Sequence, residues 1–154
     1  MEDHRQLDHI SGWKTTVITT VHGMDARTTV EQYLTALSAG DVDAAVRLVT
    51  DDFQNEHTST LGSSSAGREV YRERLPGFLA QFAALHYEIV DIITENERVA
   101  ARYRLTANFE GHPLDIPGVM LFDTRDGLIA RRTDVWDSLT FLRQTGAVDE
   151  RPSG

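Results

Sequence analysis

The stretch Asp126-Gly-Leu-Ile-Ala-Arg-Arg-Thr-Asp-Val-Trp-Asp137 decides how this chain is read. It follows from the turn Thr124-Arg-Asp-Gly127 and alternates as a strand does, so it reads as the second arm of a β-hairpin. Successive strand side chains leave on opposite faces, which puts Arg132, Asp134 and Trp136 on one side and Arg131, Thr133 and Val135 on the other. One side must meet the core. If it is the Asp134 side, a carboxylate lies under an indole and beside a guanidinium, where burial and charge together set its proton affinity. That arrangement predicts a small acid/base pocket.

Working outward, three further alternating runs precede it: His86 to Thr94, Val99 to Asn108 and Leu114 to Asp123. The connectors Glu95-Asn-Glu97 and Glu110-Gly-His-Pro113 are turn-prone, so the four runs form an antiparallel meander. Upstream the period changes. Val30, Tyr33, Leu34 and Leu37 recur at helical spacing up to Ser38-Ala-Gly40, and Asp41 is the N-cap of a second helix through Val49. The extended piece Phe53 to Thr58 comes next, then the small-residue loop Leu61 to Gly67. A third helix follows, carrying Val70, Tyr71, Leu75, Phe78, Leu79 and Phe82, and Pro76 predicts a kink or restart within it. Leu139 to Gln144 is a short last turn ending at Gly146. Helices followed by a strongly curved sheet predict an α+β cone with a cavity inside, and such cavities hold small molecules.

Residues 1 to 25 read as a leader, in which Thr15 to Val21 is dense in β-branched residues and suits a short edge or swapped strand. Residues 26 to 146 form the single domain, and 147 to 154 a loose tail. The 154 residues are 40% apolar and 25% charged, which fits one globular domain. A net charge of −9 argues against a nucleic-acid partner, since phosphate binding needs a basic surface. No apolar run serves as signal peptide or membrane span, so a cytoplasmic location is expected. With no cysteine in the chain, thiolate chemistry is excluded and catalysis falls to oxygen and nitrogen groups.

Residues from about 26 to 146 resemble the NTF2-like superfamily, in its SnoaL-like and limonene-epoxide-hydrolase-like branches. The resemblance is carried by Leu48-Val-Thr-Asp-Asp-Phe53, the Gly67-Arg-Glu junction, Gly118-Val-Met-Leu-Phe122, and the Asp126 to Asp137 segment running into Leu139 to Gly146. It implies a curved sheet wrapped around N-terminal helices, pairing into a homodimer through the convex sheet face. In the epoxide hydrolases a Tyr-x-Asn motif and a last-strand Asp hold a water, and an Arg-x-Asp motif completes the site. Asn55, Asp134 and Arg102 match those positions. Phe53 stands in place of the tyrosine and Arg104 in place of the second acid, which removes the expected proton donor to an epoxide. SnoaL-type polyketide cyclases use a last-strand Asp as acid/base, which Asp134 fits, and His112 is an approximate positional candidate for their auxiliary histidine. Ketosteroid isomerases resemble the chain more distantly.

The candidate catalytic residues are therefore Asp134, Asn55, His57 and Arg102. Asn55 and His57 share a strand face, and His57 is a second acid/base candidate near neutral pH or else a hydrogen-bonded rim residue. Arg102 and Arg104 share a face and, pointing inward, would favour an anionic or enolate-like ligand. Shifted by one residue, the same strand puts Tyr103 inside and both arginines in solvent. Phe53, Leu114, Ile116, Met120, Phe122 and Trp136 are the expected cavity lining, with Arg104 and Arg132 also touching substrate. His112 and Asp115 flank a hairpin and read as turn residues. No two histidines have metal-motif spacing, so no metal or cofactor is expected. Two readings stand. One is an enzyme acting on a hydrophobic polyketide- or terpenoid-like molecule as hydrolase, isomerase or cyclase; the other is a ligand-binding or dimeric interaction domain in which Asp134 is locked to an arginine.

Overall fold

The computed structural model describes residues 24–149. In chain order these form α1 (Ala26–Ser38), α2 (Val42–Arg47), β1 (Val49–His57), β2 (Ser65–Ala66), α3 (Arg68–Gln81), β3 (Phe82–Glu95), β4 (Arg98–Phe109), β5 (His112–Arg125), β6 (Leu128–Trp136) and α4 (Ser138–Gln144). The candidate leader strand at Thr15 to Val21 and residues 150–154 of the tail lie outside the described residues.

Local chemistry starts each helix. The side chains of Asp25, Asp41 and Asp137 accept hydrogen bonds from the backbone N–H of Thr28, Ala44 and Thr140, satisfying first-turn donors that the helices cannot. Val30, Tyr33, Leu34 and Leu37 make the buried stripe of α1. The second helix stops at Arg47, not Val49, because the Leu48 carbonyl accepts from Ile129 N–H (2.8 Å) and so belongs to the sheet. Nor does Pro76 break the third helix: α3 runs through it, anchored by buried Tyr71 and Leu75 in the turn before the missing N–H.

The six strands form one sheet in the order β2-β1-β6-β5-β4-β3. The meander from β3 to β6 is antiparallel and β1 lies parallel to β6. Its last turn needs positive φ at Asp126 (+53°) and Gly127 (+77°), which Asp-Gly supplies at little steric cost. Register shifts in β3, after Ala83 and after Ile89, are the bulges that bend the sheet around the helices. The result is the helix-filled α+β cone expected of the NTF2-like fold.

In β4 it is Val99, Ala101, Tyr103 and Leu105 that are buried, while Arg102 and Arg104 are exposed. The inward placement of the two arginines is therefore corrected. Turning them inward would strip two guanidiniums of water and expose four apolar or aromatic side chains, so the opposite register wins. Arg104 lies on the outer face, hydrogen-bonded to Asp115 and close to Glu88.

Candidate active site

The parallel ladder between β1 and β6 pairs Asn55 with Arg132 and His57 with Asp134, so the period of two aims all four side chains at the concave face. There they meet a cavity of about 470 Å³. Its floor is made by buried residues of the sheet and of α3: Asn55, Tyr71, Tyr87, Tyr103, Arg132 and Asp134, with Leu75, Leu105 and Ile116. One end is aromatic. Phe82 packs on Phe78 (4.7 Å between centroids) and Phe109 (5.0 Å), and Phe141 bridges Phe109 to Trp136. The exposed members of the lining, Leu61, Ser63, Arg74 and Gln81, form the mouth.

Asp134 is only 4% exposed, and each carboxylate oxygen has a donor. The Tyr103 hydroxyl donates to Oδ1 (2.6 Å) and Arg132 Nη2 to Oδ2 (3.0 Å). Tyr103 reaches Asp134 from two strands away by crossing β5 at Gly118, the residue paired with both Tyr103 and Trp136. A Cβ built on Gly118 would come within 2.3 Å of the phenolic oxygen, so the ring occupies the space a side chain would take. Arg132 also donates from Nη1 to Tyr33 Oη (3.1 Å), which shares a 2.5 Å hydrogen bond with Tyr71 Oη. Tyr87 packs edge-on against Tyr103. All four tyrosines of the chain thus gather around one arginine–aspartate pair.

Burial sets the protonation of this cluster. It pushes the phenols of Tyr71, Tyr87 and Tyr103 upward, and for Tyr103 the adjacent Asp134 charge adds to the effect, so these hydroxyls stay donors. His57 is shifted down, first by burial and then by the Arg132 charge, with Asp134 opposing. Its Nδ1 stands 3.9 Å from Asp134 Oδ2, too long for a hydrogen bond but within reach of one small movement. Gly62, in the loop after β1, lies so close over this ring that a Cβ there would come within 2.3 Å of His57 Cβ. Three buried side-chain polar atoms have no hydrogen-bond partner among the described residues: Asn55 Oδ1, His57 Nδ1 and Arg132 Nε. All three belong to this site.

The cavity thus brings together Asp134, Asn55, His57, Arg132, Ile116 and Trp136 of the residues singled out from sequence. It does not include Arg102 or Arg104. Phe53, Leu114, Met120 and Phe122 face inward but are packed into the core: Phe53 stacks edge-on against Tyr71 and Phe122 against Tyr33, so neither ring is left for a ligand. His112 is exposed and outside the lining, and Asp115 is not a turn residue but part of β5, paired with Arg104 on the outer face. Tyr33, Tyr71 and Tyr87 were missed as site residues because their spacing reads as core. The available signal was the hydroxyl, since a tyrosine at an inward position needs a partner for it. No group of three His, Cys, Asp or Glu side chains clusters among the described residues. No helix there is long and apolar enough to cross a membrane.

A curved sheet closed over helices, with titratable side chains on the floor of an otherwise apolar cavity, is the NTF2-like fold. Residues 30–132 match the SnoaL-like domain, and the chain belongs to that family. Comparison with curated proteins finds no match. Among solved structures it is similar to a protein of ketosteroid-isomerase-like fold from Catenulispora acidiphila, in complex with trimethylamine (TM-score 0.71, 20% identity, covering 80% of this chain and 97% of that one). It is also similar to IdmH, a proposed polyketide cyclase from Streptomyces antibioticus (0.69, 21%, 80% and 99%), and to a proposed SnoaL-like polyketide cyclase from Shewanella denitrificans (0.72, 14%, 80% and 98%). These likenesses establish the fold.

Proposed function

We propose that the protein is a cofactor-independent enzyme that moves a proton at a carbon next to a carbonyl, as an isomerase or aldol-type cyclase, on a hydrophobic polyketide- or terpenoid-like molecule. One observation carries this reading: the three buried polar atoms without a partner among the described residues all belong to residues that line one cavity with Asp134. Unsatisfied buried groups are costly and rare, so their confinement to a cavity floor points to a ligand that completes them. Asp134 is the base, and a small shift of its carboxylate toward substrate exchanges the Arg132 bond for the abstracted proton. Tyr103 and Arg132 hold the carboxylate in place, His57 relays the proton to or from oxygen, and Asn55 orients the carbonyl. Epoxide opening is disfavoured because Asp134 is the only carboxylate lining the cavity among the described residues.

A second reading has its own support: both Asp134 oxygens are already bonded, as a structural ion pair would be, which suits a binding domain. The two separate by one measurement, deuterium exchange at the α-carbon of 2-tetralone in heavy water, followed by NMR. The enzyme reading expects exchange above buffer that Asp134→Asn abolishes while the folded far-UV spectrum persists. Exchange that survives Asp134→Asn overturns the assignment of the base. A homodimer through the outer sheet face is part of the proposal. Exposed Ile93 and Leu121 lie there on either side of Ala100 in one ladder row, and exposed Val135 is two residues along β6 from Thr133, the partner of Leu121, a patch that a second copy would cover.

A further inference from the structure

We propose that the natural substrate carries an anionic group on its apolar body, and that Arg74 receives that group at the cavity mouth. This rests on the acid/base reading of the cavity and specifies which molecules it admits. On α3, Tyr71, Arg74, Leu75 and Phe78 follow the i, i+3, i+4, i+7 stripe, and all four line the cavity. An apolar side chain at the second of these positions would extend the hydrophobic wall. The chain places a guanidinium there instead.

That guanidinium is held in place. Arg74 Nη1 donates to the Ser64 carbonyl (3.0 Å) and to Ser63 Oγ (3.3 Å), both in the loop between β1 and β2 that forms one lip of the mouth. Of the five N–H donors on an arginine, those left over have no acceptor among the described residues. The other exposed arginines of the sheet and helices mostly sit within 4 Å of a carboxylate, such as Arg72 with Asp43, Arg104 with Asp115 and Arg131 with Glu56. Arg74 has no carboxylate partner among the described residues.

The charge balance of the lining points the same way. Deep in the cavity Asp134 and Arg132 offset each other, and burial favours neutral His57. Arg74 is then the one uncompensated formal charge in the lining, positive in a chain whose net charge is −9. A carboxylate accepts two parallel N–H bonds from a guanidinium, and the aromatic end of the cavity takes the apolar body. Anchoring the acid at the mouth would fix how far the reacting carbon reaches toward Asp134.

The test compares two fluorescent probes that share one aromatic skeleton, 1-anilinonaphthalene-8-sulfonate and the neutral N-phenyl-1-naphthylamine, titrated into the full chain. The expected result is tighter binding of the sulfonate, which added salt weakens, and a loss of about two- to fivefold in Arg74→Gln with the neutral probe unchanged. Arg74→Lys should keep part of the preference. Equal or weaker binding of the sulfonate by the natural chain, no binding of either probe, or an equal effect of Arg74→Gln on both overturns the proposal. Because the probes report binding alone, 2-tetralone exchange that depends on Asp134 together with probe parity removes only the role of Arg74. Probe selectivity without such exchange removes only the proton-transfer reading.

Discussion

Replacing Gly118 with alanine tests whether the Tyr103–Asp134 contact is built into the sheet. The added methyl would sit 2.3 Å from the phenolic oxygen and 2.4 Å from Cζ, against the 3.4 Å at which ordinary contact begins. The ring must therefore retreat by about 1.1 Å (3.4 − 2.3), since Gly118 is in a central strand flanked by β4 and β6. A retreat of that size breaks the 2.6 Å bond to Asp134 Oδ1. Overpacking of this kind costs about 1–3 kcal/mol, and losing a buried hydrogen bond to a charged group adds about 1.5–3 kcal/mol. The sum is about 2.5–6 kcal/mol, read as a fall in the urea midpoint with unchanged slope by far-UV circular dichroism. In a Tyr103→Leu background the clashing atoms are gone, and Gly118→Ala should then be nearly neutral. A cost below about 1 kcal/mol in the natural chain, or an equal cost in both backgrounds, would refute the argument that Gly118 is the space through which Tyr103 reaches its partner.

Since His57 is held below its ordinary value of 6.5, the unfolded chain takes up that proton first as the pH falls. Stability from this source is complete above about pH 7 and declines below the unfolded value until the folded-state value is passed, so urea midpoints at about pH 7.5 and 5.5 should differ more in the natural chain than in His57→Gln. An equal difference in both would show that His57 has no linked role. For the proposed dimer, Leu121→Asp puts a charge in the outer apolar patch and should halve the mass seen by sedimentation equilibrium without altering Asp134-dependent exchange; an unchanged mass would place any interface elsewhere.

The last strand was the most legible part of the site. Asp126-Gly127 marks the turn, and alternation alone puts Arg132, Asp134 and Trp136 on one face, which is where the structure has them. The same rule placed Asn55 beside His57. It failed on β4, where Arg-Tyr-Arg alternates equally well in either register and only burial decides. It also failed to separate lining from core among Phe53, Leu114, Ile116, Met120 and Phe122. Inward-facing positions on one sheet differ in what lies over them, and that is fixed by α1, α3 and α4.

Sequence alone therefore determined the order of elements, the α+β cone and the inward face of the last strand, because caps, turns and periodicity act over a few residues. Only the tertiary structure decided that Tyr33, Tyr71, Tyr87 and Tyr103, spread over 70 positions (103 − 33), gather around Arg132 and Asp134. Those contacts depend on sheet curvature and on which helix covers which strand. They arise from the whole chain minimising buried, unpartnered polar surface at once, and no local pattern records that.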